Sequence, residues 1–432
     1  MKIKKYYIET YGCQMNEADS ELVAGLLKEK SYQPTNLPEE ADIILVNTCS
    51  VRENAERRSI ARLSQFKNLK KINSGLLIGI LGCVAQRDKD EILHKNPFID
   101  IALGPDSYRK LPEAIESVSL PVTGFQLSRE EVYNELSPFR SSRVNAWISI
   151  MRGCDKFCAY CIVPFTRGRE RSRSLNGIVE EVKQAVADGY SEVTLLGQNV
   201  NSYIYETFRF PELLEAVSVI TGLKRIRYTS PHPQDFDNRL LEVMRDHSNI
   251  CHHIHLPLQS GSTRVLELMK RNYNQVQYLS VVENIRRHMP DCAITTDIIT
   301  GFPQETEDDF LETLKVMDAV VFDAAYNFKY SPRPGTTAAR MIDDVTPEEK
   351  SDRLDRVIEK QKKHTLLKNR ALVGTIQELL VDSISRKNPN EKTGRTGTNK
   401  IVIIQTGNPE ISDVVRVRIE KAIGISLFGT LV

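Results

Sequence analysis

No run of eighteen apolar residues occurs anywhere in the sequence, which argues against a membrane-spanning helix. The opening stretch Met1-Lys2-Ile3-Lys4-Lys5-Tyr6-Tyr7 lacks the long apolar segment of a secretory signal. Net charge is almost absent as well. With 58 Lys and Arg against 57 Asp and Glu the balance is +1, so no global field announces a nucleic-acid partner and any basic surface must be local. Cysteine is scarce, eight in 432 residues, too thin for a disulfide scaffold. Thiols this sparse suit metal ligation in a reducing cytoplasm, the expected location. A chain of this length predicts about two to four domains.

The placement of the few cysteines is the strongest signal present. In Arg152-Gly153-Cys154-Asp155-Lys156-Phe157-Cys158-Ala159-Tyr160-Cys161, three thiols are separated by three residues and then by two. That spacing curls a short loop so that three thiolates converge, leaving one iron of a four-iron cube free of protein sulfur and open to a small-molecule ligand. Zinc is the alternative, but zinc loops usually pair Cys-x-x-Cys knuckles with a fourth ligand close by. No fourth Cys follows closely, and His94 and His232 are remote.

Residues 3–120 read as alternating strands and helices, hence a parallel sheet with helices on its faces. Strands are expected at Tyr6 to Tyr11, Asp42 to Thr48, Gly75 to Gly82 and Ile99 to Gly104, with Asn16 capping the first helix and a basic helix from near Glu53. Cys13, Cys49 and Cys83 each fall just past the carboxyl end of a strand, and in open parallel sheets those ends line one crevice. They could gather around a second cluster; the alternative is three unrelated buried thiols.

Residues 121–142 contain Pro121, Pro138 and Ser141-Ser142 and read as a boundary. The central domain, 140–370, cycles through six expected strands, beginning at Val144, Glu192, Arg225, His253, Ala293 and Ala324, which predicts a partial parallel (β/α)6 barrel with its site at the carboxyl ends of the strands. Gln198, Asn199, Ser230, His232, Gln259, Ser260 and Asp297 are the candidates to hydrogen-bond a cofactor there. His252, His253 and His255 read as ordinary polar strand positions rather than metal ligands, since neighbours alternate faces. Cys251 and Cys292 precede strands and read as structural thiols. Arg167, Arg169, Arg171 and Arg173 form either a solvated charge run or a phosphate-binding segment beside the site.

Thr346-Pro347-Glu348-Glu349 is a helix start, with a capping Thr and a Pro in the first turn. Residues 373–432 turn β-branched, and their loops carry Arg386, Lys387, Lys392, Arg395 and Lys400. A small antiparallel barrel follows, binding single-stranded nucleic acid through a basic face that includes Arg395 and Lys400, or serving as a plain accessory barrel.

Together these motifs resemble the methylthiotransferase branch of the radical S-adenosylmethionine superfamily over essentially the whole chain. Tyr11-Gly12-Cys13-Gln14-Met15-Asn16, Asn47-Thr48-Cys49-Ser50-Val51-Arg52-Glu53, the Leu195 to Tyr203 stretch and Ser230-Pro231-His232-Pro233 resemble the members that act on isopentenyladenosine beside the anticodon. Gln304, in Gly301-Phe302-Pro303-Gln304-Glu305-Thr306, departs from the Gly common there. The resemblance implies a Rossmann-like N-terminal domain, a radical barrel and a C-terminal TRAM barrel. It further implies two 4Fe-4S clusters, on Cys154, Cys158 and Cys161 and on Cys13, Cys49 and Cys83. S-adenosylmethionine would be both radical source and methyl donor, and the second cluster would give sulfur for carbon 2 of the adenine. Chemistry driven by cofactors calls for no protein acid or base. The implied partners are the tRNA anticodon stem-loop, an electron donor such as flavodoxin or ferredoxin, and iron–sulfur assembly or carrier proteins, with the enzyme a monomer. The alternatives are the same transfer to threonylcarbamoyladenosine or to a ribosomal protein aspartate, and an iron–sulfur RNA-binding sensor without turnover.

Overall fold

The computed structural model describes residues 4–117, 119–140, 144–385 and 388–432. Residues 1–3, the Ser141-Ser142 part of the expected boundary and the basic pair Arg386-Lys387 lie outside them. No helix among the described residues is long and apolar enough to cross a membrane.

The first domain runs β1 (Lys5–Thr10), α1 (Gln14–Glu29), β2 (Gln33–Pro34), β3 (Ile43–Thr48), α2 (Glu53–Ile72), β4 (Leu77–Gly82), α3 (Cys83–Asp88), α4 (Asp90–Lys95), β5 (Ile101–Leu103), α5 (Leu111–Glu116) and β6 (Val122–Gly124). Its strands form one parallel sheet in the order β2-β1-β3-β4-β5-β6. Helices cover both faces, so β3 reads Ile-Ile-Leu-Val and is buried throughout. Two expectations need correction. Asn16 lies inside α1, whose N-cap position is Cys13. The domain also extends past residue 120, because β6 pairs with β5 as an edge strand, where the preceding Pro121 is tolerated. The segment beyond β6 folds back onto the same core. Tyr133 donates to the Pro105 carbonyl at 2.9 Å, and Phe139 N donates to the Glu21 carbonyl at 2.8 Å. The boundary therefore moves past Arg140.

The central domain comprises β7 (Asn145–Ser149), β8 (Met151–Arg152), α6 (Val163–Arg167), β9 (Arg171–Ser172), α7 (Leu175–Ala187), β10 (Glu192–Leu196), β11 (Ile204–Tyr205), β12 (Phe208–Arg209), α8 (Phe210–Ser218), β13 (Arg225–Tyr228), α9 (Asn238–Asp246), β14 (His253–His255), α10 (Thr263–Leu268), α11 (Gln275–His288), β15 (Ala293–Thr300), α12 (Glu307–Val320), β16 (Ala324–Lys329) and α13 (Pro347–Arg370). Two parallel three-stranded sheets, β7-β10-β13 and β14-β15-β16, are joined by a bridge between Ile226 and Ile250, giving the six-stranded partial barrel that was expected. Outward-facing Ile148, Val193, Leu195, Ile226, Ile254, Ile294 and Ile298 build the core against the helices. The alternate residues turn inward and are largely polar. α13 starts where its sequence says, with Thr346 and Glu349 capping each other's backbone N–H. Gln304 takes φ 67°, a left-handed conformation that glycine adopts at less cost.

β17 (Ile376–Ile384), β18 (Lys392–Thr396), β19 (Ile401–Ile404), β20 (Val414–Ile423) and β21 (Ser426–Leu431) close into a barrel in the order β17-β18-β19-β21-β20. It is antiparallel except where β19 meets β21. This barrel docks on the amino ends of the central strands, away from the cysteine loop. Arg225 donates to the carbonyls of Glu378 (3.0 Å) and Arg395. Arg227 donates to the Thr396 carbonyl (2.8 Å) and to Glu192 (2.7 Å), and Lys400 pairs with Asp323 at 2.8 Å. Hydrogen bonds from charged groups contribute about 1.5–3 kcal/mol each. Arg225→Ala should therefore loosen the docked barrel by about 2 kcal/mol, seen as faster amide exchange across β17 and β18; protection equal to the parent's would show that Arg225 does not hold the domains together.

Candidate functional site

Cys13 opens α1, Cys49 follows β3 and Cys83 opens α3, so the carboxyl edge of the sheet presents all three thiols. Two sequence motifs interlock to hold them. Asn16 Nδ2 donates to Asn47 Oδ1 (3.0 Å) and to the Thr48 carbonyl (2.9 Å), and Asn47 Nδ2 returns a bond to the Asn16 carbonyl (2.9 Å). Both asparagines are fully buried. Gly12, at φ 129°, lets the chain pass Cys49; a Cβ there would stand 2.4 Å from the Cys49 Cβ. The hydrogen bond from the Cys49 thiol lowers the Cys13 pKa, and the charge of Arg167 adds to the effect. Cys49 is raised in turn, with Cys83 among the charges acting on it.

The second triad sits on a loop whose two ends are pinned by the antiparallel β8–β9 pair. Gly153 takes φ 81° with its Cα against the Arg169 carbonyl, where a Cβ would come within 2.0 Å. Gly153 N donates to Gln198 Oε1 at 2.6 Å, and Cys154 N donates to the Gly168 carbonyl at 3.1 Å. Cys158 Sγ accepts from Arg271 Nη1 at 3.4 Å, a buried cation that also lies over the Tyr273 ring. Burial pushes the thiols of Cys154 and Cys161 up to about 12. Those thiols stay protonated at neutral pH until a bound metal takes the sulfur as thiolate and displaces the proton.

The rim residues divide into braces and free groups. Gln198 braces Gly153. Asn199 Nδ2 holds Asp235 at 2.8 Å, and Asp235 pairs with Lys156. Ser260 is fully buried and accepts from Ser262 N beside Thr313, so it is not available to a ligand, contrary to expectation. Ser230 sits at the rim with φ 60°. Asn199 Oδ1, His232 Nε2 and Gln259 Oε1 are buried with no hydrogen-bond partner among the described residues. Deeper in the barrel, His253 and His255 both face Thr295 Oγ1 at 3.0 Å, and His255 Nε2 lies 3.2 Å from Asp297 Oδ2, edge-on to Tyr326.

Three of the four arginines expected to meet phosphate are turned inward. Arg167 is bound to Asp19, Arg171 to Asp106 and Arg173 to Glu181, each side chain at most 6% exposed. A buried, paired guanidinium cannot reach a phosphate, so these three expectations are withdrawn. Arg169 is 65% exposed, paired with Asp155. Lys400 is held in the domain interface, whereas Arg395 remains 41% exposed. Sequence reasoning missed the roles of Arg271, Tyr273, Asp19 and Arg152, since their partners are distant in sequence and carry no local signal. It also missed the exposed Arg416, Arg418 and Lys421 on β20; the alternation of Arg416 and Arg418 with the buried Val417 and Ile419 was the available clue, while Lys421 follows a register shift.

Two sets of three soft thiol donors, one near the Ser50 hydroxyl and Arg167 Nη1 that have no hydrogen-bond partner among the described residues, fit iron–sulfur clusters. No three His, Cys, Asp or Glu side chains among the described residues close around a point as they would around a single ion; a four-iron cube holds its thiolates further apart.

The comparisons with known proteins follow this layout. Residues 5–104 match the uncharacterized protein family UPF0004, residues 148–317 the radical SAM superfamily and residues 370–432 the TRAM domain. The chain is 46% identical over 441 aligned positions to a tRNA-2-methylthio-N(6)-dimethylallyladenosine synthase of Porphyromonas gingivalis, covering 99% of this chain and 95% of the other. Proteins of the same name from Bacteroides fragilis (99% and 95% covered) and Christiangramia forsetii (99% and 93%) are 44% and 42% identical. Among solved structures, the radical S-adenosylmethionine methyltransferase TsrM from Kitasatospora setae aligns over 78% of this chain and 75% of its own, with TM-score 0.58 and 13% identity. The cobalamin-dependent radical enzyme OxsB aligns over 84% and 56%, at TM-score 0.54 and 12% identity. These two likenesses concern the fold.

His232 provides a check on the rim. Its Nδ1 accepts from Gln234 N at 3.3 Å, which puts the proton of the neutral ring on Nε2, facing the site. Burial first, then the charges of Arg271 and Lys156, push its pKa down to about 2. The folded protein therefore keeps this ring neutral while the unfolded chain takes up a proton as pH falls through the usual histidine range. Its share of stability is present at pH 7 and is lost progressively from about pH 6.5 downward. In nitrogen-labelled protein the His232 ring should show no titration between pH 5 and 8, and a midpoint near pH 6 would contradict the buried, cation-flanked setting.

Proposed function

We infer that this chain, which belongs to the tRNA-2-methylthio-N(6)-dimethylallyladenosine synthase family, transfers a methylthio group to carbon 2 of dimethylallyladenosine next to the anticodon of tRNA. The observation that supports this reading is the packing that links the two cysteine loops across one domain interface. α6 leaves the second cysteine loop after Cys161, packs against the α3 that Cys83 begins, and ends at Arg167, whose charge acts on Cys13 and Cys83. A helix of this length spans only about 8 Å.

In this reading Cys154, Cys158 and Cys161 hold one 4Fe-4S cluster, and Cys13, Cys49 and Cys83 hold the other. When bound, the first supplies the electron that splits S-adenosylmethionine and the second supplies sulfur. The chain's own residues position and shield. Arg271 stabilises negative charge on the Cys158 sulfur, and Gln198 fixes the turn at Gly153. Asn199 Oδ1, the His232 Nε2–H and Gln259 Oε1 are the free polar atoms that would orient S-adenosylmethionine. Asp297, His255 and Tyr326 line the inner wall that an adenine would meet. The target C–H is unreactive toward acids and bases at useful rates, which agrees with a site built from positioning groups. A stacked base cannot enter it, so the nucleotide must be splayed from its loop. Phosphates are then held by Arg416, Arg418 and Lys421, with Arg169 and Arg395 as further exposed cations. A flavodoxin or ferredoxin as reductant, iron–sulfur carriers, a cytoplasmic location and action as a monomer complete the reading.

Replacing Cys49 with Ala should lower iron from about eight to about four per chain and abolish methylthiolated product while leaving uncoupled 5′-deoxyadenosine formation. Cys154→Ala should abolish both, and full product from the Cys49 variant, by mass spectrometry of tRNA nucleosides, would refute the sulfur-donor assignment. If Arg416, Arg418 and Lys421 each meet one phosphate, their triple Ala variant should bind tRNA more weakly at low salt and flatten the plot of log affinity against log salt by about three. An unchanged slope would move the RNA elsewhere.

A further inference from the structure

Arg167 was expected to meet RNA; its actual surroundings point to another ligand. The side chain is 4% exposed. Its Nη2 donates to Asp19 Oδ2 at 2.9 Å, while Nη1 is buried with no hydrogen-bond partner among the described residues. Asp19, itself fully buried, also binds Arg152, so one arm of the guanidinium is fixed and the direction of the other is set. α6, which ends in Arg167, packs against α3, and the Cys13 and Cys83 thiols are among the groups acting on this arginine. Charge in this knot does not cancel. Among the described residues, Arg152, Arg167 and Arg171 pair with only Asp19 and Asp106, three cations against two anions. An unpaired donor bearing surplus positive charge, away from water and near the Cys13 and Cys83 thiols, is suited to a soft anion.

Resting on the functional reading above, we propose that the free Nη1 of Arg167 holds the sulfur anion awaiting transfer, a hydrosulfide or methylthiolate on the iron that Cys13, Cys49 and Cys83 leave open. Asp19 is the positioning residue that keeps the donor aimed. The planar guanidinium suits the task because one N–H pair serves Asp19 and the other serves the anion; a lysine could not divide its donors with that geometry.

The test uses the full-length protein loaded with both clusters, titrated with methanethiolate and, separately, hydrosulfide, and followed by electron paramagnetic resonance of the reduced N-terminal cluster. In R167Q, Asp19 remains paired with Arg152, so the fold should survive and iron and sulfide content should match the parent. The affinity for at least one of the two anions should fall tenfold or more, with partial recovery in R167K; which one falls identifies the species held. Unchanged affinity for both in R167Q overturns the proposal. So does loss of the N-terminal cluster's iron, which would make the arginine part of cluster retention, and so does a shifted reduction potential at unchanged affinity, which would aim Nη1 at the cluster itself. A parent protein with only one cluster would instead defeat the functional reading, so the two failures are distinct.

Discussion

A single carboxylate, that of Asp19, holds the arrangement together. It lies on the first helix of the N-terminal domain, has no exposure, and accepts from Arg152 just before the second cysteine loop and from Arg167 just after it. Removing Asp19 would leave two buried guanidinium groups without their carboxylate, a loss that typically costs about 3–5 kcal/mol because those charges have no water to turn to. The bond network therefore tolerates one arrangement of the two domains. The same residues that close the loop also tie it to the first helix of the N-terminal domain.

The rest of the molecule is graded around that joint. On the N-terminal side, a hydrogen bond within the triad and a nearby cation favour thiolate on Cys13. On the barrel side, burial keeps Cys154 and Cys161 protonated unless metal arrives. The two sites thus present different electrostatic settings to chemically similar ligands, with Arg167 acting on Cys13 at one and Arg271 donating to Cys158 at the other. At the far end of the barrel, Arg225, Arg227 and Lys400 join the small C-terminal barrel to the amino ends of the strands. Cations that might have faced RNA are used there as mortar between domains. Those left free stand on β20, where alternation with Val417 and Ile419 turns Arg416 and Arg418 outward.

Several features were legible in the amino-acid order because they are local. Cysteine spacing, the Thr346–Glu349 capping box, the alternation of the central strands and the apolar run Ile43 to Val46 of β3 each need only a few neighbouring residues to be recognised. Gln304 stood out as a departure from the usual glycine, and the structure shows it in the left-handed conformation that glycine adopts at less cost. The parallel topology also followed from local alternation, and with it the placing of Cys13, Cys49 and Cys83 on one sheet edge. Other features depended on distant partners. Arg167, Arg171 and Arg173 look like a solvated basic run until Asp19, Asp106 and Glu181 are brought against them. Asn16 looks like a helix cap until Asn47 arrives opposite it.

Sequence alone determined which atoms can bind metal and which segments become strands, since both follow from spacing and periodicity. Tertiary structure decided which charges remain available. A guanidinium reads the same in any sequence, but desolvation and a facing carboxylate turn it into a structural bond, and only the folded chain brings that carboxylate within reach.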